Sequence, residues 1–151
     1  MTMDEIDRAI IAELEQDGRI SNVELADRVR LTPAPCLRRV QRLEADGVIR
    51  GYRAVIDPES VGRGFQVIVD VDISNEIGNV EAFERTLSDF DEVAEIHRMF
   101  GSPDYLVRIA VEDLDAYERF LTRHVLTLPG IMRVNSRFTM KTVKPDGGSA
   151  R

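Results

Sequence analysis

The sequence has one cysteine, Cys36, no tryptophan and only two histidines. A lone cysteine excludes an internal disulfide and a cysteine-based zinc finger. His97 and His124 are too few and too far apart in sequence to suggest a metal site. No apolar run approaches the roughly 20 residues that a membrane-spanning helix needs. The first residues, Met1-Thr2-Met3-Asp4-Glu5, are acidic and lack an apolar stretch. No signal peptide is therefore expected, and the cytoplasm is the expected compartment. There is no Walker loop, dinucleotide fingerprint or nucleophile motif, which speaks against an enzyme.

What is present suits a soluble globular chain: 151 residues, 43% hydrophobic and 31% charged. That length fits one large or two small domains, and two small ones need self-association to bury enough surface. The net charge of −7 argues at first against nucleic acid. Its distribution reverses the argument. Residues 28–53 carry seven arginines (28, 30, 38, 39, 42, 50 and 53) against Glu44 and Asp46, a local +5 that leaves −12 for the rest. A basic island on an acidic body suits phosphate contact. The bland alternative is a solvated, arginine-rich face.

The first half reads as three helices. Thr2 and Glu5 can form a capping box ahead of the stripe Ile6, Ile10, Leu14, and Gly18 stops that helix. Ser21 and Glu24 repeat the capping signal before Leu25, Ala26 and Val29. Thr32 is the N-cap of a third helix. Pro33 stands where a missing N–H costs nothing, Pro35 is still in the first turn, and Gly47 ends the helix. Two short helices so close together form a helix-turn-helix. At about 100° per residue, Cys36, Leu37, Val40 and Leu43 gather on a core side of the third helix. Ala34, Pro35, Arg38 and Arg42 gather opposite, with Arg39 flanking. Cys36 then reads as a small buried apolar residue. From Val48 to Ile56 the period changes to two, which predicts a strand pair or extended wing carrying Arg50 and Arg53. The whole reads as a winged helix-turn-helix over residues 1–56.

Asp57-Pro58-Glu59-Ser60 and Gly62-Arg63-Gly64 form a turn-rich break, read as a linker over 57–65. Beyond it, Val67, Val69, Val71 and Ile73 alternate as a strand, and Val80, Phe83, Leu87 and Phe90 follow at helical spacing. Strands are predicted at 93–100 and from Tyr105, with the turn Gly101-Ser102-Pro103-Asp104 between them. Leu114, Tyr117, Leu121, Val125 and Leu128 form a second helix, stopped by Pro129-Gly130, before a last strand at 131–140. The order β-α-β-β-α-β is the ferredoxin-like split βαβ, over residues 66–144. It predicts an α+β chain whose second domain is a four-stranded antiparallel sheet with both helices on one face. The other face is expected to be apolar and covered by a second subunit. Residues 145–151 read as a disordered tail.

The order and spacing of several segments resemble the Lrp/AsnC (leucine-responsive, feast/famine) regulators over about residues 3–143. The segments are Asp17 to Asn22, Thr32-Pro33-Ala34-Pro35-Cys36-Leu37-Arg38-Arg39-Val40 through Glu44, and Gly47-Val48-Ile49-Arg50-Gly51-Tyr52. Gly101 with Asp104-Tyr105-Leu106, and Leu128-Pro129-Gly130-Ile131, add two more. The resemblance implies dimers through the C-terminal sheets, often octamers, and amino acids bound between dimers. It also implies control of amino-acid metabolism genes by a nucleoid-associated DNA-binding protein of the prokaryotic cytoplasm.

The expected DNA-binding residues are Thr32, Pro35, Arg38, Arg39 and Arg42, with Arg50 and Arg53 on the wing. The alternative is that these arginines pair with nearby acids. For an effector, backbone amides near Gly101 can hold a carboxylate and Asp104 can accept an ammonium, which matches the two ends of an amino acid. The alternative is an ordinary hairpin turn; the resemblance favours the site. Ser102 belongs to the same loop, and Met99, Leu106, Leu114, Leu126 and Phe138 are lining candidates or plain core. No metal or cofactor is expected. The rival classes are a ferredoxin-like enzyme, which has no use for a basic helical domain, and a ligand-independent architectural DNA-binding protein.

Overall fold

The computed structural model describes residues 3–143, arranged as two compact units that divide between Val55 and Ile56. The first holds three helices: α1 (Glu5–Gln16), α2 (Asn22–Arg28) and α3 (Pro33–Ala45). Ile10, Leu25, Ala26, Val29, Cys36 and Leu43 form its core. Burial pushes the Cys36 thiol pKa up, as expected of a packed apolar residue.

The helix starts follow from local chemistry. Ser21 accepts the Glu24 N–H and Glu24 returns the bond to the Ser21 N–H, the reciprocal box expected at α2. At α1 the expectation needs correcting. Thr2 lies outside the described residues, and the cap is Asp4, which accepts the Asp7 N–H at 2.8 Å while Asp7 accepts the Asp4 N–H at 3.2 Å. Thr32 holds the N-cap position of α3 with extended backbone, but its side chain makes no capping bond.

Both α2 and α3 end in nested hydrogen bonds that force the next residue into the left-handed region. After α3 that residue is Gly47, at φ 71°; after α2 it is Arg30, at φ 56°. A side chain there costs roughly 1–2 kcal/mol.

One expectation fails in this unit. Leu37 is 44% exposed, not core. The buried side of α3 centres on Cys36 and Leu43, and Leu37 lies roughly 110° round the helix from that centre. Of the strand pair or extended wing expected over Val48 to Ile56, the strand pair is not seen: residues 50–57 have no regular secondary structure. The alternating pattern of Val48 to Ile56 has no neighbouring strand to meet, and Tyr52, Val55 and Ile56 stay exposed.

In the second unit a turn at Asp57–Ser60 precedes β1 (Phe65–Ile73), α4 (Ile77–Ser88), β2 (Val93–Arg98), β3 (Tyr105–Val111), α5 (Leu114–Phe120), a wider helical turn at Leu121–Val125, and β4 (Ile131–Phe138). The expected βαββαβ order is observed. β2 and β4 each end two residues early, at Arg98 and Phe138 rather than at 100 and 140. All pairings are antiparallel, in the order β2-β3-β1-β4. Val67, Val69, Val71 and Ile73 pack with Tyr105, Val107, Ile109 and Val111 against Phe83 and Leu87 of α4 and Tyr117 and Phe120 of α5. Both helices therefore cover one face.

The opposite face is not the apolar surface expected. Its neighbours across β4, β1, β3 and β2 include Arg137, Ile68, Arg108 and Glu95 in one row, and Asn135, Asp70, Leu106 and His97 in the next. Arg137 pairs with Asp70 at 2.7 Å, Arg133 with Asp72 at 2.6 Å, and Arg108 with Glu95. Strict alternation in β1 and β3 sends the large apolar side chains to the helices, which leaves a mixed set on the other side: Gln66, Asp70, Asp72 and Arg108 with Ile68, Leu106 and Ala110.

Candidate DNA interface and effector site

The side chains that α3 turns away from the core are those opposite Cys36 and Leu43. Ala34, Arg38, Gln41 and Ala45 occupy that stripe, with Leu37 at its edge, and all are exposed. Small residues let a helix enter a groove, and Arg38 and Gln41 are the side-chain types that form paired hydrogen bonds to guanine and adenine edges. The Arg38 guanidinium makes no ion pair or hydrogen bond within the described residues. Gln41 was missed in the sequence because Leu37 drew the core side of the helix too far round.

Arg39 and Arg42 have a different role. Asp7 is 1% exposed on α1, and its carboxylate accepts Arg39 Nη1 at 2.8 Å and Arg42 Nη2 at 2.6 and 2.7 Å. Arg39 also reaches Asp4 at 2.7 Å. The Asp7 amide and the Arg39 guanidinium hold the Asp4 carboxyl pKa below its ordinary value. These two arginines tie α3 to α1, and DNA would have to compete with a buried carboxylate for them. The pairing alternative raised from sequence is what the structure shows for both, though with acids of α1 and not with Glu44 or Asp46. Sequence spacing carried no signal of it: Asp4 and Asp7, three apart at a helix start, mark a cap, and the arginines lie more than thirty residues away.

A second tie holds the start of α3. Asn22 Nδ2 donates to the Pro33 carbonyl at 2.9 Å, linking the first turn of α2 to that of α3. Pro35 is half-buried. Arg50 and Arg53 are exposed on the irregular segment after α3. There Tyr52 donates to Glu44 at 2.9 Å.

In the second unit the β2–β3 loop brings Met99, Gly101, Ser102 and Asp104 together. Gly101 has φ 125°, a conformation that suits glycine. Asp104 is already engaged: its Oδ2 accepts the Ile73 N–H at 2.9 Å, and its carbonyl accepts the Met99 N–H at 2.8 Å. It pins the end of β1 to the start of β3, so the hairpin alternative accounts for at least one of its oxygens. Leu126 precedes the turn into Ile131, which pairs with Ile73 at the same end of the sheet.

The other three lining candidates do not converge there within one chain. Phe138 pairs with Val67, four residues and roughly 13 Å along β1 from Val71, the partner of Tyr105. It packs on Phe65 and Tyr117 instead. Leu114 follows β3 at that far end, and Leu106 lies on the open sheet face.

Two family models match the chain: a winged helix-turn-helix DNA-binding model over residues 3–50 and the Lrp/AsnC ligand binding domain over residues 66–149. The leucine-responsive regulatory protein of Escherichia coli is 41% identical over 143 residues, covering 94% of this chain and 87% of its own. A transcriptional regulator of Neisseria meningitidis, solved as its L-Met complex, superposes with a TM-score of 0.92 at 35% identity, covering 95% and 94% of the two chains. An AsnC family transcriptional regulator of Agrobacterium tumefaciens gives 0.88 at 38% identity, over 95% and 94%. These relatives are transcriptional regulators, not enzymes.

Proposed function

The chain belongs to the Lrp/AsnC family of transcriptional regulators, and on that premise we propose that it binds specific double-stranded DNA sites, controls genes of amino-acid metabolism, and answers to an amino-acid effector held between subunits. The observation that carries the DNA part is the exposed stripe Ala34, Arg38 and Gln41 on α3. Thr32 and Pro35 sit at the entering end of that helix, and Arg50 and Arg53 add backbone contacts. Arg39 and Arg42 are left to the fold. The protein works in the cytoplasm on the nucleoid, as a dimer or a larger assembly such as an octamer.

An amino acid is the effector class because the Neisseria relative was solved with L-Met, and the Escherichia relative is named for leucine. Met99, Gly101, Ser102 and Asp104, with Leu126 nearby, form one wall. Leu106, Leu114 and Phe138 reach such a site only from another subunit, which is the reason to place it at a subunit contact.

The test is a thermal-shift screen against the twenty amino acids. A ligand at one hundred times its Kd stabilises the folded state by about 2.7 kcal/mol. A rise in melting temperature with L-methionine, L-leucine or another amino acid supports the reading. No rise with any of them removes the amino-acid effector and favours the architectural alternative.

A further inference from the structure

Arg30 is the one non-glycine with a positive φ among the described residues; the other positive-φ positions are all glycines. It follows the cap of α2. The Arg30 N–H bonds to the Asp27 carbonyl at 3.1 Å, and the Leu31 N–H bonds outside it to Ala26 at 2.8 Å. The same closure ends α3, where the Gly47 N–H bonds to Glu44 at 3.0 Å and the Val48 N–H to Leu43 at 2.9 Å. One fold thus contains two copies of one turn. One uses the residue that relaxes it, and the other keeps an arginine against the strain. Strain kept at a single place points to a use for the side chain.

The surroundings indicate that use. Arg28, at the end of α2, pairs with Glu13 of α1 at 2.8 Å and so serves the fold. Arg30 is exposed, and its guanidinium makes no ion pair or hydrogen bond within the described residues. It stands two residues before Thr32, the N-cap of α3, so its Cα is within about 7 Å of the entering end of that helix. With α3 read as the groove helix, a cation beside that end and off the helix's own outward stripe is placed for the sugar-phosphate backbone more than for base edges.

We propose that Arg30 is a DNA-phosphate contact, held ready by the left-handed turn between α2 and α3. The proposal rests on the reading of α3 as the groove helix. The rival account is local: a cation at the C-terminal end of α2 favours the helix dipole and touches no DNA.

Arg30→Gly and Arg30→Lys, in the full-length chain, separate the two. Binding to a fluorescent mixed-sequence duplex is followed by anisotropy across a salt series, well below the melting temperature, beside a melting curve of each variant. Arg30→Gly should melt no lower than the parent and bind severalfold more weakly. Its plot of log affinity against log salt should be shallower by about one, the loss of a single phosphate contact. Arg30→Lys should keep the parent slope. An unchanged slope in Arg30→Gly overturns the proposal whatever happens to the melting temperature; a lower melting temperature with that unchanged slope assigns Arg30 to the helix end. Arg38→Ala, run alongside, isolates the premise. If it too leaves affinity for selected sites untouched, the reading of α3 fails; if it weakens them while Arg30→Gly changes nothing, Arg30 alone is excluded.

Discussion

Arg42 Nη2 lies 2.6 and 2.7 Å from the two carboxylate oxygens of Asp7, a residue 1% exposed, with Arg39 against the same carboxylate at 2.8 Å. Two of the three arginines on α3 are thereby taken up in holding the helix to α1. What remains to face outward is Arg38, with neutral neighbours.

Asp7→Ala should therefore destabilise the helical unit without touching Arg38 or Gln41, the side chains proposed to meet base edges. Losing the acid leaves the Arg42 guanidinium without its partner, leaves Arg39 with Asp4 alone, and removes one half of the α1 cap. Both arginines are partly solvated, so the cost should be about 2–4 kcal/mol, read from denaturant unfolding. Arg42→Ala should cost less, because Arg39 still neutralises the acid. A neutral Asp7→Ala would show that the network does not hold α3.

Arg38→Ala should leave the melting temperature unchanged and weaken specific binding. A base-directed arginine is worth about 1–3 kcal/mol, so selected sites should be bound roughly 5- to 150-fold less tightly in gel-shift titration. Equal affinity for parent and variant would take Arg38 out of the interface.

Tyr105 should be the last tyrosine to ionise. Burial, together with its hydrogen bond to Glu84, pushes its phenol up to about 12 from 10. A pKa raised by folding stabilises fully below the unfolded value and is lost as pH rises towards the folded one. Stability should fall from about pH 10 to 12, with a late step in tyrosinate absorbance. Tyr105→Phe should abolish that step and flatten the alkaline fall. A late step that persists in Tyr105→Phe would assign it elsewhere.

Asp104→Ala tests two roles at once. Loss of the acceptor for the Ile73 N–H should lower stability by about 1 kcal/mol. If Asp104 also meets an effector ammonium, calorimetric heat on adding L-methionine or L-leucine should vanish as well. A destabilised variant that binds the amino acid as the parent does would leave Asp104 a purely structural residue.

Ile68→Lys probes assembly. Ile68 lies on the sheet face away from α4 and α5, so the subunit should stay folded. A subunit docked over that face would have to bury the new charge. Sedimentation should then show smaller species with an unchanged circular dichroism spectrum. An unchanged assembly would move the contact to another surface.

The second unit was the more legible in the sequence, because its rules are local and periodic. Val67, Val69, Val71 and Ile73 declare a strand with one buried face, and Pro129-Gly130 declares a stop. The polar open face was implied by the same alternation, but its charges lie on strands far apart in sequence: Asp70 and Arg137 become neighbours only after the sheet closes. In the helical unit, Asp7 reads as a solvated acid in a first helical turn. Only the approach of Arg39 and Arg42, more than thirty residues away, buries it. Leu37 misled because hydrophobicity marks what a residue tolerates, and the helix phase is set by its neighbours Cys36 and Leu43. Of the expected site residues, the loop from Met99 to Asp104 was legible as a unit. Phe138, Leu114 and Leu106 lie apart from that loop within one chain, and sequence does not say which end or which face of the sheet they take.

The strand order sets a timetable for synthesis. β1 is an inner strand whose partners are β3 and β4, and its last bonds, from Val67 to Phe138, span most of the unit. The helical unit instead closes over shorter separations, its Asp4–Arg39 and Asp7–Arg42 pairs each spanning 35 residues. Short-range structure forms faster than long-range pairing, and the N-terminal part leaves the ribosome first. The helix-turn-helix can thus be folded while β4 is still being made, and the sheet that would join one subunit to the next is completed only once β4 has emerged.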